Sequence, residues 1–292
     1  MKKTIDSQVV LITGTSTGFG KLTAITLANA GHTVIATMRG KTGKNAAVAQ
    51  ELAAFPNIDV VEMDITSDES VKQAIEQTLT KYGRIDVLVN NAGVSGFGLL
   101  EGYSLDQIRA MLEVNLYGVL RTYQAVLPAM RKARNGLVIN LTSGASGFTV
   151  PFMVPYLISK FGVETITEGL QDELADYGIE NVTIQPGVYP TEMTSGVKAG
   201  LNADKPEIVT EYGDSATAKF NAIGAGFFGK MAEFNMNPQT IADGVLALVD
   251  MEKGTRPLRY PLDAIAQGTD KEFIQARADI KARWVEKYSL SA

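Results

Sequence analysis

The chain has 292 residues, 45% hydrophobic and 20% charged, with a net charge of −5, a globular composition with material for one large core or two small ones. Acidic and basic residues are interspersed without a Lys/Arg cluster, which argues against nucleic acid as a partner. The lack of Cys excludes disulfide and thiolate chemistry, and a single His, His32, disfavours a zinc or haem site. No apolar run is long enough to span a membrane, and residues 1–6 are too short and charged a start for a signal peptide, so a cytoplasmic protein is expected.

Val9, Val10, Leu11 and Ile12 read as a strand buried on both faces, as in parallel sheets. Thr13, Gly14, Thr15, Ser16, Thr17, Gly18, Phe19 and Gly20 follow directly. A helical pattern through Leu22, Ile25 and Leu27 stops at Gly31, and residues 33–38 form a second strand. The glycine spacing is Gly-x-x-x-Gly-x-Gly. Glycines there let backbone approach a pyrophosphate, and the helix N-terminus offers unpaired N–H groups and the positive end of its dipole. A strand, glycine loop, helix and strand in that order open a dinucleotide-binding fold.

The alternation continues with a helix over 45–55, a strand over 58–63 ending at Asp64, and a helix over 71–82 capped by Ser67 or Asp68. A strand over 87–89 leads into Asn90, Asn91, Ala92 and Gly93. Helices are expected over 105–114 and 116–132, then a strand over 137–141 followed by Ser143. The next helix carries Tyr156 and Lys160 and runs to about 177. A strand over 182–185 stops at Pro186 and Gly187. Six strands alternating with helices imply an α/β fold with a doubly wound parallel sheet in one domain. From 191 to 237 the pattern breaks. That stretch mixes Gly196, Gly200, Gly213, Gly224, Gly226 and Gly229 with Phe220, Phe227, Phe228, Met231, Phe234 and Met236, and is expected to be a lid or binding loop. A helix over 238–251, a short edge strand over 256–261 and a terminal helix over 270–287 with Trp284 complete the chain.

Ligands in a doubly wound sheet sit beyond the carboxyl ends of the strands. The glycine loop, Asp64, the Asn90–Gly93 turn, Ser143 and Pro186-Gly187 all fall on that edge. Tyr156 and Lys160, four residues apart, share a helical face, so the ammonium is expected to lower the phenol pKa. Those motifs, with Asn115 and Thr191, resemble the short-chain dehydrogenase/reductase family in its compact, single-domain form, a Rossmann fold. The likeness covers residues 9 to 191 in the family's order.

The resemblance implies roles. Tyr156 would be the acid/base, Lys160 its tuner and the holder of the nicotinamide ribose, and Ser143 the anchor of the substrate oxygen. Asn115 would hold a proton-relaying water. Asp64 and the Ile65 backbone would contact adenine, Asn91, Ala92 and Gly93 the ribose side, and Pro186, Gly187, Val188 and Thr191 the nicotinamide side. The second strand ends without a carboxylate for a ribose 2′-OH, and Arg39 follows. A guanidinium can pair with a 2′-phosphate, so NADP(H) is expected to be preferred, with NAD possible.

Phe97, Phe148, Val150, Met153, Val154, Tyr189 and Met193 would add an apolar rim to the lid. The expected substrate is therefore an uncharged, fairly bulky apolar carbonyl or alcohol. A homodimer or homotetramer is expected through the helices over 116–132 and 156–177, where Gly162 and Gly169 would allow close approach. Ser143 lacks the Gly-x-Ser-x-Gly setting and His32 should lie at the opposite edge, so a serine hydrolase is nearly excluded. A non-catalytic NADP sensor, a sugar or polyol dehydrogenase and an epimerase or dehydratase of the wider superfamily are the alternatives.

Overall fold

The computed structural model describes residues 7–194, 201–205 and 207–288; the readings of residues 1–6, Gly196 and Gly200 fall outside them. Seven parallel strands make one sheet in the order β3-β2-β1-β4-β5-β6-β7. They are β1 (Val9–Ile12), β2 (Thr33–Met38), β3 (Ile58–Glu62), β4 (Val87–Asn90), β5 (Gly136–Leu141), β6 (Ile179–Pro186) and β7 (Arg259–Leu262). The order reverses between β1 and β4, which leaves a crevice above their carboxyl ends.

The helices are α1 (Gly18–Asn29), α2 (Ala46–Ala53), α3 (Asp68–Tyr82), α4 (Leu105–Leu112), α5 (Gly118–Ala133), α6 (Val154–Ala175), α7 (Ile208–Glu211), α8 (Asp214–Glu233), α9 (Gln239–Asp250) and α10 (Thr269–Lys287). Alternate residues of each central strand feed two cores. Val10, Ile12, Val34 and Ala36 pack with Leu27 of α1 and with Ile241 and Val245 of α9. Val9, Leu11 and Ile35 pack with Val71 and Ile75 of α3, Val126 of α5 and Val163 of α6. Burial on both faces explains why these strands read as continuous apolar runs.

Local signals set the ends well. Ser67 caps α3 by accepting from the Ser70 N–H, and Gly83 ends it at φ 74°. Three expectations need correction. The helices placed at 105–114 and 116–132 are one run, joined by a π-turn over Glu113–Tyr117 that holds Asn115. The strand placed at 182–185 begins three residues earlier, at Ile179. The glycine-rich stretch expected as a loop contains α8, twenty residues long. Met231 and Met236 sit in the first core with Phe234 against it, and that tertiary packing overrides the low helix propensity of Gly224, Gly226 and Gly229.

Candidate active site

Helix α6 starts with Pro155 in its first turn, where a missing N–H breaks no helical bond. Tyr156 follows, 9% exposed, and Lys160 is one turn further on, 6% exposed. The Lys160 ammonium donates to the carbonyl of Leu141, the last residue of β5, at 2.8 Å, and lies 5.9 Å from the centre of the Tyr156 ring. Ser143, just past β5, neighbours the Tyr156 phenol and acts to lower its pKa. Its Oγ also accepts from the Ala145 N–H at 3.2 Å, so it serves as a turn residue as well.

The expected tuning runs the other way in this site. Burial pushes the Tyr156 phenol up to about 12, with the neighbouring Ser143 hydroxyl opposing it. Burial pulls the Lys160 ammonium down to about 8. Both groups are shut away from water, and burial favours the neutral form of each.

Asn115 sits in the π-turn, 1% exposed. Its Oδ1 accepts from the Val94 N–H at 2.8 Å, and its Nδ2 donates to the Val94 carbonyl at 2.8 Å and to Ser159 Oγ at 2.9 Å. These bonds fix the Gly93-Val94 backbone beside α6. A Cβ on Gly93 would stand 3.3 Å from Asn115 Oδ1 and 3.7 Å from Lys160 Nζ, so the turn after β4 and the Tyr156 helix meet there.

The glycine loop occupies the crevice between β1 and β4. Gly14 has φ +71°, and a Cβ on it would lie 2.8 Å from Ala92 Cα. Gly20 has no room for a Cβ, which would strike the Asn91 amide and the Gly14 carbonyl. Asn91 Nδ2 donates to the carbonyls of Thr13 and Gly14 at 2.8 and 2.9 Å, and the Asn91 and Ala92 N–H groups donate to Thr13 Oγ1. Asn91 thus braces the loop. Thr15 is fully buried and spends its hydroxyl and its N–H on the Thr37 carbonyl. Phe19 meets Tyr189 edge to face at 5.6 Å. Ser16 is half-buried and Thr17 exposed at the start of α1, whose first turn has no side-chain cap. A Cβ on Gly18 would face Thr191 at 3.7 Å, which joins the loop to the turn after β6. In that turn the Gly187 N–H donates to the Leu262 carbonyl at 3.0 Å, and half-buried Val188 packs on the first core.

At the far end of the crevice Arg39 follows β2, its side chain 52% exposed and 3.7 Å from the Asp64 carboxylate. Burial pushes Asp64 up, but Thr66 hydrogen bonds and the Arg39 guanidinium outweigh it and hold the carboxyl below its ordinary value. Glu62 accepts from the Gly40 and Lys41 N–H groups at 2.5 and 2.8 Å, fixing the loop behind Arg39. Ile65 packs against Gly118, and its carbonyl accepts from Arg121 at 3.2 Å. The glycine cradle, the uncapped helix start and a cation at the end of β2 fit a dinucleotide. No group of His, Asp and Glu among the described residues could hold a metal ion.

The apolar rim divides. Val150 and Met153 pack with Tyr156, Tyr103, Met111 and Leu157. Phe97 gathers Phe152, Phe220 and Phe227 around it, with ring centres 5.8, 4.6 and 6.4 Å away. Half-buried Met193 lies beside this mouth, its carbonyl 3.5 Å from the Ser95 hydroxyl. Tyr189 belongs to the core, 4% exposed, and its hydroxyl donates to the Leu262 carbonyl at 2.9 Å. Phe148 is exposed beside Phe273, Val154 is exposed on α6, and Phe228 faces solvent.

Sequence reasoning missed Phe152, held at φ +67°, and Asp263, whose carboxylate packs on Gly187. It also missed Glu164 of α6, which pairs with Arg259. His32 lies before β2 at the opposite edge, accepting from the Gln8 N–H at 3.2 Å.

A family model for short chain dehydrogenase matches residues 8–202. The chain belongs to the short-chain dehydrogenase family. It is 39% identical over 187 residues to a 3-ketodihydrosphingosine reductase of Bacteroides thetaiotaomicron, a match spanning 64% of this chain and 66% of that protein. It is 33% identical over 248 residues to the 3-oxoacyl-[acyl-carrier-protein] reductase FabG of Thermotoga maritima, covering 85% of this chain and 92% of that one. Among solved structures, ElxO with NADP bound superposes with a TM-score of 0.71 at 25% identity, over 88% of this chain and 97% of that one. This short-chain dehydrogenase is accordingly an oxidoreductase of CH–OH and keto groups that uses a nicotinamide cofactor. None of its described helices is long and apolar enough to cross a membrane.

Proposed function

We propose that this dehydrogenase interconverts a ketone or aldehyde and an alcohol on an uncharged, fairly bulky apolar substrate, with NADP(H) as cofactor and Tyr156 as acid/base. The observation that carries it is the buried Tyr156 phenol beside Ser143, with Lys160 one turn away on the same helix. When bound, the nicotinamide supplies or takes the hydride. Ser143 holds the substrate oxygen, and Tyr156, a neutral phenol at pH 7, donates the proton in the reducing direction. Lys160 holds the ribose, and Asn115 keeps the Gly93 turn in place and a relay water at hand. Arg39, its side chain 52% exposed beside the Asp64 carboxylate, receives the 2′-phosphate. The segment 191–237 acts as the lid, with Phe220 and Phe227 closing on Phe97 and Phe152 over the mouth. A homodimer or homotetramer is the working assembly, in the cytoplasm.

A homologous series of methyl ketones, assayed with NADPH and NADH, tests the reading. One buried methylene is worth roughly 0.8 kcal/mol, so kcat/KM should climb about three- to fourfold per added CH₂ until the pocket fills. Tyr156→Phe should keep NADPH binding and lose about 10²–10⁴-fold in turnover. Arg39→Ala should cost NADPH but not NADH. A flat chain-length trend, or best activity on a sugar, sinks the substrate assignment; NADPH binding without any turnover would indicate a sensor.

A further inference from the structure

Glu164 is 2% exposed, one turn beyond Lys160 on α6. Its Oε1 accepts from the Thr142 hydroxyl at 2.8 Å and from Gln185 Nε2 at 2.8 Å. Its Oε2 accepts from Arg259 Nε at 3.0 Å. Each partner adjoins a part of the site. Thr142 precedes Ser143, and Gln185 precedes the Pro186-Gly187 turn. Arg259 opens β7, three residues before the Leu262 carbonyl that holds the Gly187 N–H. One carboxylate therefore joins the helix of Tyr156 and Lys160 to the ends of β5 and β6.

The tie continues outward. Arg259 also bonds Glu168, the next turn of α6. Glu168 takes Arg277 at 2.8 Å and Lys281 at 2.5 Å from α10. Burial would raise the Glu168 carboxyl, but Lys281 and Arg259 bring it down to about 2. A buried ion pair is not economical as a source of stability, since desolvation consumes much of its attraction. What it supplies is direction: fixed bonds in four elements, where apolar packing alone allows sliding.

We propose that Glu164, held by Arg259, is a positioning residue of this active site that sets the distance between Ser143 and Tyr156. The claim rests on the proposed carbonyl–alcohol chemistry for its kinetic readout only. Glu164 is buried with its carboxylate committed to Thr142, Gln185 and Arg259, and none of these partners lies in the glycine cradle. Its loss should therefore lower kcat far more than it weakens cofactor binding, which rests mainly on the glycine cradle and Arg39.

The test compares Glu164→Ala, which removes the shared acceptor, with Glu164→Gln, which keeps an oxygen for Thr142 and Gln185 but loses the charge opposite Arg259. A misplacement on the order of 1 Å costs about 10²-fold in rate. Glu164→Ala should lose roughly 10- to 100-fold in kcat while its NADPH Kd stays within about threefold, and Glu164→Gln should recover part of the loss. Should Glu164→Ala fail to fold, the paired change Glu164→Gln with Arg259→Met keeps the neutral bonds and strands no buried charge. Its kcat should then sit near that of Glu164→Gln. Crystal structures of wild type and variant supply a readout without turnover, the Ser143 Oγ to Tyr156 Oη separation, which should lengthen. If wild type turns over no ketone or alcohol, the functional reading fails and this separation still decides the role of Glu164. An unchanged separation, or a folded variant with wild-type kcat, overturns the positioning role.

Discussion

Lys160 carries an ammonium into the interior, where it donates to the Leu141 carbonyl, and this sets how the fold responds to pH. Its pKa in the folded chain, about 8, lies below the ordinary 10.5. Below pH 8 the folded and unfolded chains both hold the proton, and burying the charge costs its full penalty. Between about 8 and 10.5 the unfolded chain binds more protons than the folded one, so stability rises with pH through that window. Lys160→Met removes the penalty but orphans the Leu141 carbonyl, a cost of about 1–3 kcal/mol. The variant should be more stable than wild type at pH 7 by on the order of 1–2 kcal/mol, and the gap should close or reverse by pH 10. Urea unfolding of both proteins at several pH values measures it. A gap that does not vary with pH would show that Lys160 titrates normally. Tyr156, Lys160 and Ser143 were readable because each sits in a short local pattern at a strand end or helix start. Glu164 and Arg259 were not, since they are 95 residues apart and a lone Glu or Arg has no local signature of burial.

Helix α8 shows the limit at the level of elements. Its glycines and its scattered Phe and Met fit no clean period, so the sequence reads as a loop. Tertiary packing makes it a helix, because Met231 is gripped by the core that α1 and α9 share. The β1–α1–β2 unit was legible for the opposite reason: its strands are wholly apolar, and Gly14, Gly20 and Gly31 punctuate it where the chain must turn or touch. The upper part of α8 has less to hold it. Phe220 leans on Phe97 and Phe152 across the mouth, at 4.6 and 5.3 Å between ring centres, and it is only half-buried. Phe220→Ala should therefore cost little global stability, no more than about 1–2 kcal/mol. It should raise KM for the longest methyl ketones several-fold more than for butanone, flattening the chain-length trend. A thermal melt beside a chain-length series separates the two effects. An equal loss on all ketones would mean that α8 supports the site as a whole and does not cover the substrate's tail.

Among the described residues, exposed apolar side chains stand on α4, the π-turn and α6, elements that contact one another. Leu105 of α4, Tyr117 of the π-turn, and Val154 and Ile158 of α6 are 66%, 48%, 37% and 50% exposed. Gly162, read as an allowance for close approach, is filled from within by Leu116, whose Cδ1 would lie 2.7 Å from an added Cβ. Gly169, two turns on, has nothing within 4 Å of that position. Only the second glycine can therefore serve contact between helices of two copies. The β7 edge of the sheet gives a partner little to pair with, as the strand is four residues long and carries Pro261. A second copy meeting this chain through α6 would cover the apolar surface and press on the helix that carries Tyr156. Ile158 lies between Tyr156 and Lys160 in sequence but points outward, so changing it tests assembly without entering the crevice. Ile158→Lys should shift the protein to monomer in analytical ultracentrifugation at micromolar concentration, since buried Lys at an interface centre lacks a partner charge here. NADPH affinity should fall less than tenfold, because the glycine cradle and Arg39 lie on other elements, while kcat drops as α6 loses its outer support. A variant that keeps the wild-type mass in solution would place the interface elsewhere.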